Sequence, residues 1–202
     1  MNTTSFGGES VKTVYRFTTV KWLLDSIVNN RNTLVSPRKW NDPFENALAE
    51  QVRFHQPGDS TSPYALRNRA YGQCWTLDPE TDAFWRMYCP HGDGVRLRST
   101  TRELINTLRM SIRSYRNTSC FIEAVQYESE ETITTKFKDK LWVEYNLLKL
   151  GTRGHVNTLL LKRMEFKTES EIRLLYLDPY NKDHGDLFSY KIDPSVTPIS
   201  MD

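Results

Sequence analysis

Residues 99–116, STTRELINTLRMSIRSYR, put Leu104, Ile105, Leu108 and Ile112 on one arc of a helix and Arg102, Arg109, Arg113 and Arg116 on a narrow stripe away from it. A helix with a single apolar arc gains its stability from packing that arc on another element. Strand-like segments flank it: GVRLRS at 94–99 before it and CFIEAVQY at 120–127 after it. The region therefore predicts a helix laid against a sheet.

The rest of the chain keeps the same mixed grammar. VKTVYRF at 11–17 alternates as an opening strand with Arg16 on one face. Thr18 or Thr19 can cap a helix with Val20, Leu23, Leu24, Ile27 and Val28 on one side, and Asn29-Asn30 ends it. A short strand at NTLVS leads to KWNDPFE at 39–45, a turn flanked by Trp40 and Phe44; those rings either pin the turn to a core or line a cleft. HQPGDSTSPY at 55–64 predicts a mobile loop. YGQCWTL at 71–77 reads as a strand, and Asp78-Pro79 as the start of a short helix, PETDAFWRMY. A second amphipathic helix is predicted over 130–150 through Ile133, Phe137, Leu141, Tyr145 and Leu148, broken by Gly151 and Gly154, with a shorter helix over 155–163. EIRLLYL at 171–177 is the late strand. This order is not a regular βαβ alternation, so the fold class expected is α+β: one compact domain over 1–202 with a mixed or mainly antiparallel sheet, flanking helices and a flexible 1–10.

Composition narrows the function classes. With 38% hydrophobic and 12% aromatic residues the chain is an ordinary globular one, and a net charge of +2 argues for no partner by itself. No apolar run reaches the roughly 18 residues of a membrane span, and MNTTSFGGES lacks a signal pattern. A soluble, cytoplasmic protein is expected. Cys74, Cys89 and Cys120 form no paired motif, and the four histidines have no ligand spacing, so no metal is expected. Cys74, with no located histidine partner, is given no catalytic role.

Two segments can carry chemistry. In FKTESEIRLLY an extended chain puts Glu169, Glu171 and Arg173 on one face; this is either a solvated edge with a cross-strand ion pair or a Glu-x-Glu strand at an active site oriented by Arg173. In FWRMYCPHGDGVRL, Trp85 and Tyr88 share a helical face, as core packing or as an aromatic pocket wall, and Gly92 and Gly94 allow a sharp turn. The arginine stripe of Arg102, Arg109, Arg113 and Arg116 is either a solvated helix face or a track for a phosphate backbone.

Taken together, VYRF, LVSPRKWNDPFEN, QCWTL, FWRMYCPHGDGVRL and FKTESEIRLLY resemble, over about residues 14–190, the bacterial family catalogued as domain of unknown function 2971. Proteins of that family continue past IDPSVTPISMD, so the resemblance implies a C-terminus truncated relative to them. The layout is also similar, distantly, to ADP-ribosyltransferases. That second resemblance implies an ADP-ribosyltransferase-like sheet and NAD as substrate. It assigns Arg16 to gripping NAD, Trp85 or Tyr88 to the nicotinamide, and Glu171 to catalysis, with Glu169 serving transfer to the acceptor. Tyr15, Asn41 and Arg173 fall on the cofactor side, and Asp42 with Glu45 at the cleft rim, orienting Arg16 or the acceptor. It implies a toxin or phage-defence effector modifying a nucleic acid or protein, with an inhibitor or antitoxin as a further partner. Two other functions stay open: a non-catalytic nucleic-acid or protein binding module on the same fold, and a metal-dependent nuclease or hydrolase using Asp42, Glu45 and Glu171.

Overall fold

The computed structural model describes residues 11–40, 42, 69–112, 119–148, 152–179, 184–192 and 200–201. Strand β1 (Thr13–Thr19) runs directly into helix α1 (Val20–Val28), which Asn29 closes and Asn30 leaves at φ 47°, a left-handed turn that asparagine tolerates. Strand β2 (Arg31–Val35) and a 3₁₀ turn (Pro37–Lys39) follow. Next come β3 (Ala70–Thr76), α2 (Asp82–Tyr88), β4 (Gly94–Thr100), α3 (Thr101–Ile112) and β5 (Cys120–Ala124). The later elements are β6 (Gln126–Glu128), α4 (Glu130–Lys138), α5 (Lys140–Val143), α6 (Thr152–Leu159), β7 (Leu161–Arg163), β8 (Glu171–Leu177), β9 (Leu187–Lys191) and β10 (Ser200–Met201). The class is α+β with a mostly antiparallel sheet.

Strand β3 is the spine of the main sheet. It pairs with β8 along its whole length, from Ala70 opposite Leu177 to Thr76 opposite Glu171, and β5 lies beyond β8. Its other edge meets two strands, each at one position: β1 at Tyr15–Thr76 and β2 at Val35–Gly72. Strands β4 and β10 extend the sheet beyond β1, and β9 extends it beyond β2. The sheet therefore parts into two leaves over Gln73, Cys74 and Trp75. Asn32, on β2, helps hold the parting: its Oδ1 accepts from Gln73 Nε2 at 2.8 Å, its Nδ2 donates to Tyr190 Oη at 2.8 Å, and Gln73 Oε1 accepts from Trp75 Nε1 at 2.9 Å.

Period-two alternation splits β8 and β3 between two cores. Ile172, Leu174, Tyr176, Tyr71 and Trp75 pack under Leu104, Ile105 and Leu108 of α3, the arc read from the sequence. On the opposite face Ala70, Leu175 and Leu177 pack with Val156, Leu159 and Leu160, and Trp40 joins them. The first half of that face carries Glu171 and Arg173, so one side of β8 passes from charged to apolar within a single strand.

Several expectations are corrected. Only Leu23 of α1 is buried; Val20, Leu24, Ile27 and Val28 are exposed, so the helix touches the sheet along a line and not along a full face. Helix α2 starts three residues after the expected proline, because Thr81 caps it by accepting from the Phe84 amide. CFIEAVQY is two strands: after Val125 the chain leaves the main sheet, and β6 pairs in parallel with β7. The 130–150 helix breaks at Asp139, whose carboxylate caps a new start by accepting from the Leu141 and Trp142 amides. Gly154 lies inside α6; a Cβ there would stand 2.7 Å from the Asn146 Cα, so glycine allows close packing and does not end the helix. Residues 161–163 are strand. The loop at 55–64 and the flexible 1–10 lie outside the described residues.

Gly92 has φ 72°, consistent with a sharp turn, whereas Gly94 is set by crowding: a Cβ would lie 2.4 Å from both Cβ and Sγ of Cys89. Gly94→Ala is expected to destabilise the fold by about 1–3 kcal/mol, the usual cost of overpacking, read as a lowered urea midpoint with an unchanged slope.

Candidate functional site

A cavity of about 470 Å³ opens where the two leaves part, and it is walled by β1, β3, α2, β7, β8 and the turn after Pro37–Lys39. Tyr15, Arg16, Asp42, Tyr88, Glu169, Glu171 and Arg173, read separately from the sequence, all line it. Trp85 does not: its ring meets Phe17 edge-on at 4.7 Å and its Nε1 donates to Glu80 at 3.0 Å, so it packs the small cluster behind α2. Arg102 and Arg109 do not line it either; Arg102 is exposed on α3, and Arg109 is half-buried beside Cys120. Asn41, Phe44, Glu45, Arg113 and Arg116 lie outside the described residues.

Glu171 is the most heavily bonded group of the site. It is 4% exposed, on a strand buried between β3 and β5, which removes the reading of a solvated edge. Its Oε1 accepts from Arg173 Nε at 2.7 Å, and its Oε2 accepts from Arg173 Nη2 at 3.1 Å and Lys162 Nζ at 2.9 Å. The Arg173 pair thus runs along β8, while Lys162 reaches Glu171 from β7. Burial pushes the carboxyl up, but Arg173, then Lys162, with a further hydrogen bond from Cys74, more than reverse this and hold it at about 2. Arg173 is 1% exposed; its Nη1 donates to the Leu159 carbonyl at 2.6 Å and its guanidinium stacks on Trp40 at 4.2 Å. Trp40 fits there because Gly72 has no side chain: a Cβ would stand 2.7 Å from the indole. The turn's ring is pinned to a core and walls the cavity at once.

Glu169 reaches the same spot by another route. It ends a 3₁₀ turn (Met164–Glu169), not a strand, and Ser170 follows at φ 43°. Thr76 Oγ1 donates to the Glu169 carbonyl at 2.7 Å and fixes that bend. Lys162 then donates to Glu169 Oε2 at 2.5 Å, bridging the two glutamates. Asp42 pairs with Arg163 at 3.2 Å. Lys162 and Arg163 were missed from the sequence; a basic doublet seven and six residues before Glu169 was the available signal.

Arg16 stands apart. Among the described residues no carboxylate pairs with it, while Lys162, Arg163 and Arg173 each face one. Burial lowers its pKa, with Cys74, Tyr190 and Tyr88 nearby. Desolvation of the ring face at the cavity raises the Tyr88 phenol well above its ordinary range, helped by Glu169, although 43% of the residue's surface stays exposed. Among the described residues no group of three or more His, Cys, Asp or Glu could hold a metal ion, and no helix is long and apolar enough to cross a membrane.

The site can do three things chemically. It offers an arginine with no anion of its own among the described residues, a neutral phenol, and two buried carboxylates on one ammonium. Comparisons with curated proteins and with solved structures return no match. Residues 84–174 match a family model described as "Protein of unknown function (DUF2971)", a range that includes Tyr88, Lys162, Glu169, Glu171 and Arg173 and leaves out Arg16 and the Asn-Asp-Pro-Phe-Glu turn. Over that range the resemblance to this family is supported.

Proposed function

We propose that the cavity binds NAD and that the protein is an ADP-ribosyltransferase-like enzyme. The observation that carries this reading is the meeting of Arg16, Tyr88 and Glu171 in one cavity, with no carboxylate pairing with Arg16 among the described residues. The volume falls within the roughly 300–1,000 Å³ of small-molecule sites. Five cationic and three anionic side chains line it; Lys39 pairs with Asp186, so among the described residues the unpaired cation is Arg16, a donor suited to a pyrophosphate. Arg16 would supply a planar, bidentate donor to that anion. When the nicotinamide–ribose bond breaks, the nicotinamide leaves with the bonding electrons and C1′ becomes oxocarbenium-like; a carboxylate holding the 2′-hydroxyl stabilises that charge as it grows. At Glu171 this hydroxyl would replace the Cys74 thiol, the weakest of its donors. An acceptor oxygen or nitrogen, from a nucleic acid or a protein, then attacks C1′ and gives up its proton.

A second reading has one observation in its favour. Arg173 and Lys162 already neutralise Glu171, which suits a module that holds an anionic nucleotide without cleaving it.

Incubation with NAD, followed by chromatography for nicotinamide, tests both. Arg16→Gln is expected to lower kcat/KM at least tenfold with an unchanged melting temperature, because among the described residues it leaves no carboxylate without its cation. Binding without nicotinamide release selects the second reading, and absence of binding overturns both.

A further inference from the structure

Two buried carboxylates share one buried ammonium in this cavity, and the sharing has its own architecture. Strands β6 and β7 pair in parallel with Tyr127 opposite Lys162. This small sheet brings both residues to Glu171: the Tyr127 hydroxyl accepts from the Glu171 backbone N–H at 2.8 Å while Lys162 donates to the side chain. The Lys162 ammonium also lies 4.9 Å from the Phe166 ring, which limits where it can swing. Without it, Glu169, Glu171 and Arg173 leave one uncompensated negative charge in a buried cluster. Buried carboxylates that share a site without such compensation cannot both stay ionised.

We propose that Lys162 is a positioning residue, bridging Glu169 and Glu171 so that Glu171 stays an ionised carboxylate beside its neighbour. Its bearing on catalysis rests on the NAD reading; its control of the glutamates does not. The groups facing Glu171 are Arg173 on its own strand, Lys162 on β7, Glu169 on the 3₁₀ turn, Cys74 on β3, Tyr127 on β6 and Tyr88 on α2. The Tyr88 and Tyr127 phenols are both pushed up by burial and carry no charge at neutral pH, so Arg173 and Lys162 are the only cations of this set.

The test is a carbon-13 NMR titration of glutamate-labelled protein, wild type against Lys162→Gln and Lys162→Arg, after circular dichroism shows that each variant is folded. In the wild type the Glu171 carboxyl is expected to titrate near 2. In Lys162→Gln its midpoint should rise by at least about one pH unit, a tenfold change in proton affinity, and Lys162→Arg should restore it. If NAD is turned over, the acid limb of the kcat/KM profile should move up with it in Lys162→Gln and return in Lys162→Arg. A wild-type Glu171 midpoint at the ordinary carboxylate value, or identical midpoints in wild type and Lys162→Gln, overturns the proposal, and the wild-type measurement stands even if a variant fails to fold. A shifted midpoint in a protein that never releases nicotinamide upholds the role of Lys162 and sinks the NAD reading alone.

Discussion

Arg173→Met is expected to cost about 3–5 kcal/mol of folding stability, the range for breaking one partner out of a buried ion pair. Methionine fills much of the same volume, so the loss is electrostatic and not a cavity. It removes both hydrogen bonds to Glu171, the donor to the Leu159 carbonyl and the cation stacked on Trp40. Of its two cations Glu171 would keep Lys162, which already serves Glu169. Urea denaturation of the single and double variants provides the check: Arg173→Met combined with Glu171→Gln should cost clearly less than the sum of the two, because the second change removes the charge that the first stranded. A loss below about 1 kcal/mol, the worth of an exposed pair, would mean that water reaches this network.

Glu171→Gln is expected to destabilise the protein by about 3 kcal/mol at neutral pH, from a carboxyl held near 2 against an ordinary value of about 4.3. The amide keeps the shape but leaves Arg173 and Lys162 facing each other across a neutral group. The sign of the pH dependence follows from the depressed pKa. The carboxylate's contribution is complete above the unfolded value and is lost as pH falls through the folded one, so the gap between wild type and variant should close between about pH 4.3 and about pH 2. Melting curves at neutral and acid pH measure it; a gap that stays constant with pH would assign the loss to packing. The same variant is expected to abolish nicotinamide release. Because it also disturbs the fold, Arg16→Gln is the cleaner probe of chemistry.

Much of the sheet could be read from local pattern. β1, β2, β3, β4 and β8 sit within a residue or two of their expected positions because each alternates or forms a bounded apolar run, and α3 follows its arc of Leu104, Ile105 and Leu108. Failures came where a distant partner decided. Val125 donates its N–H to the Glu171 carbonyl and Gln126 to the Leu160 carbonyl, which takes the chain out of one sheet and into another; nothing in AVQ announces that. Asp139 reads as one more polar residue on a helix face until its side chain is seen capping the next turn. Strands β9 and β10, which were not expected, are a mostly exposed five-residue edge and a two-residue one. Arg16, Tyr88 and Glu171, which residue type and order singled out, line one cavity. Lys162 was not singled out, because its three-residue strand has no periodicity and its meaning lies in carboxylates that fold back onto it.

The indole of Trp40, wedged over Gly72 between Arg173 and the apolar half of β8, also separates two electrical media. Behind it Leu175, Leu177, Val156 and Leu160 form a region of low polarisability; in front of it lie eight charged side chains with positive charge to spare. Field lines from that surplus spread poorly into hydrocarbon and leave instead through the solvent side, where an approaching anion meets them. The wall that excludes water from the core thus concentrates the cavity's potential in one direction. Capture of an anionic ligand should owe its speed to that asymmetry, and added salt should slow capture far more than it disturbs the buried pairs beneath.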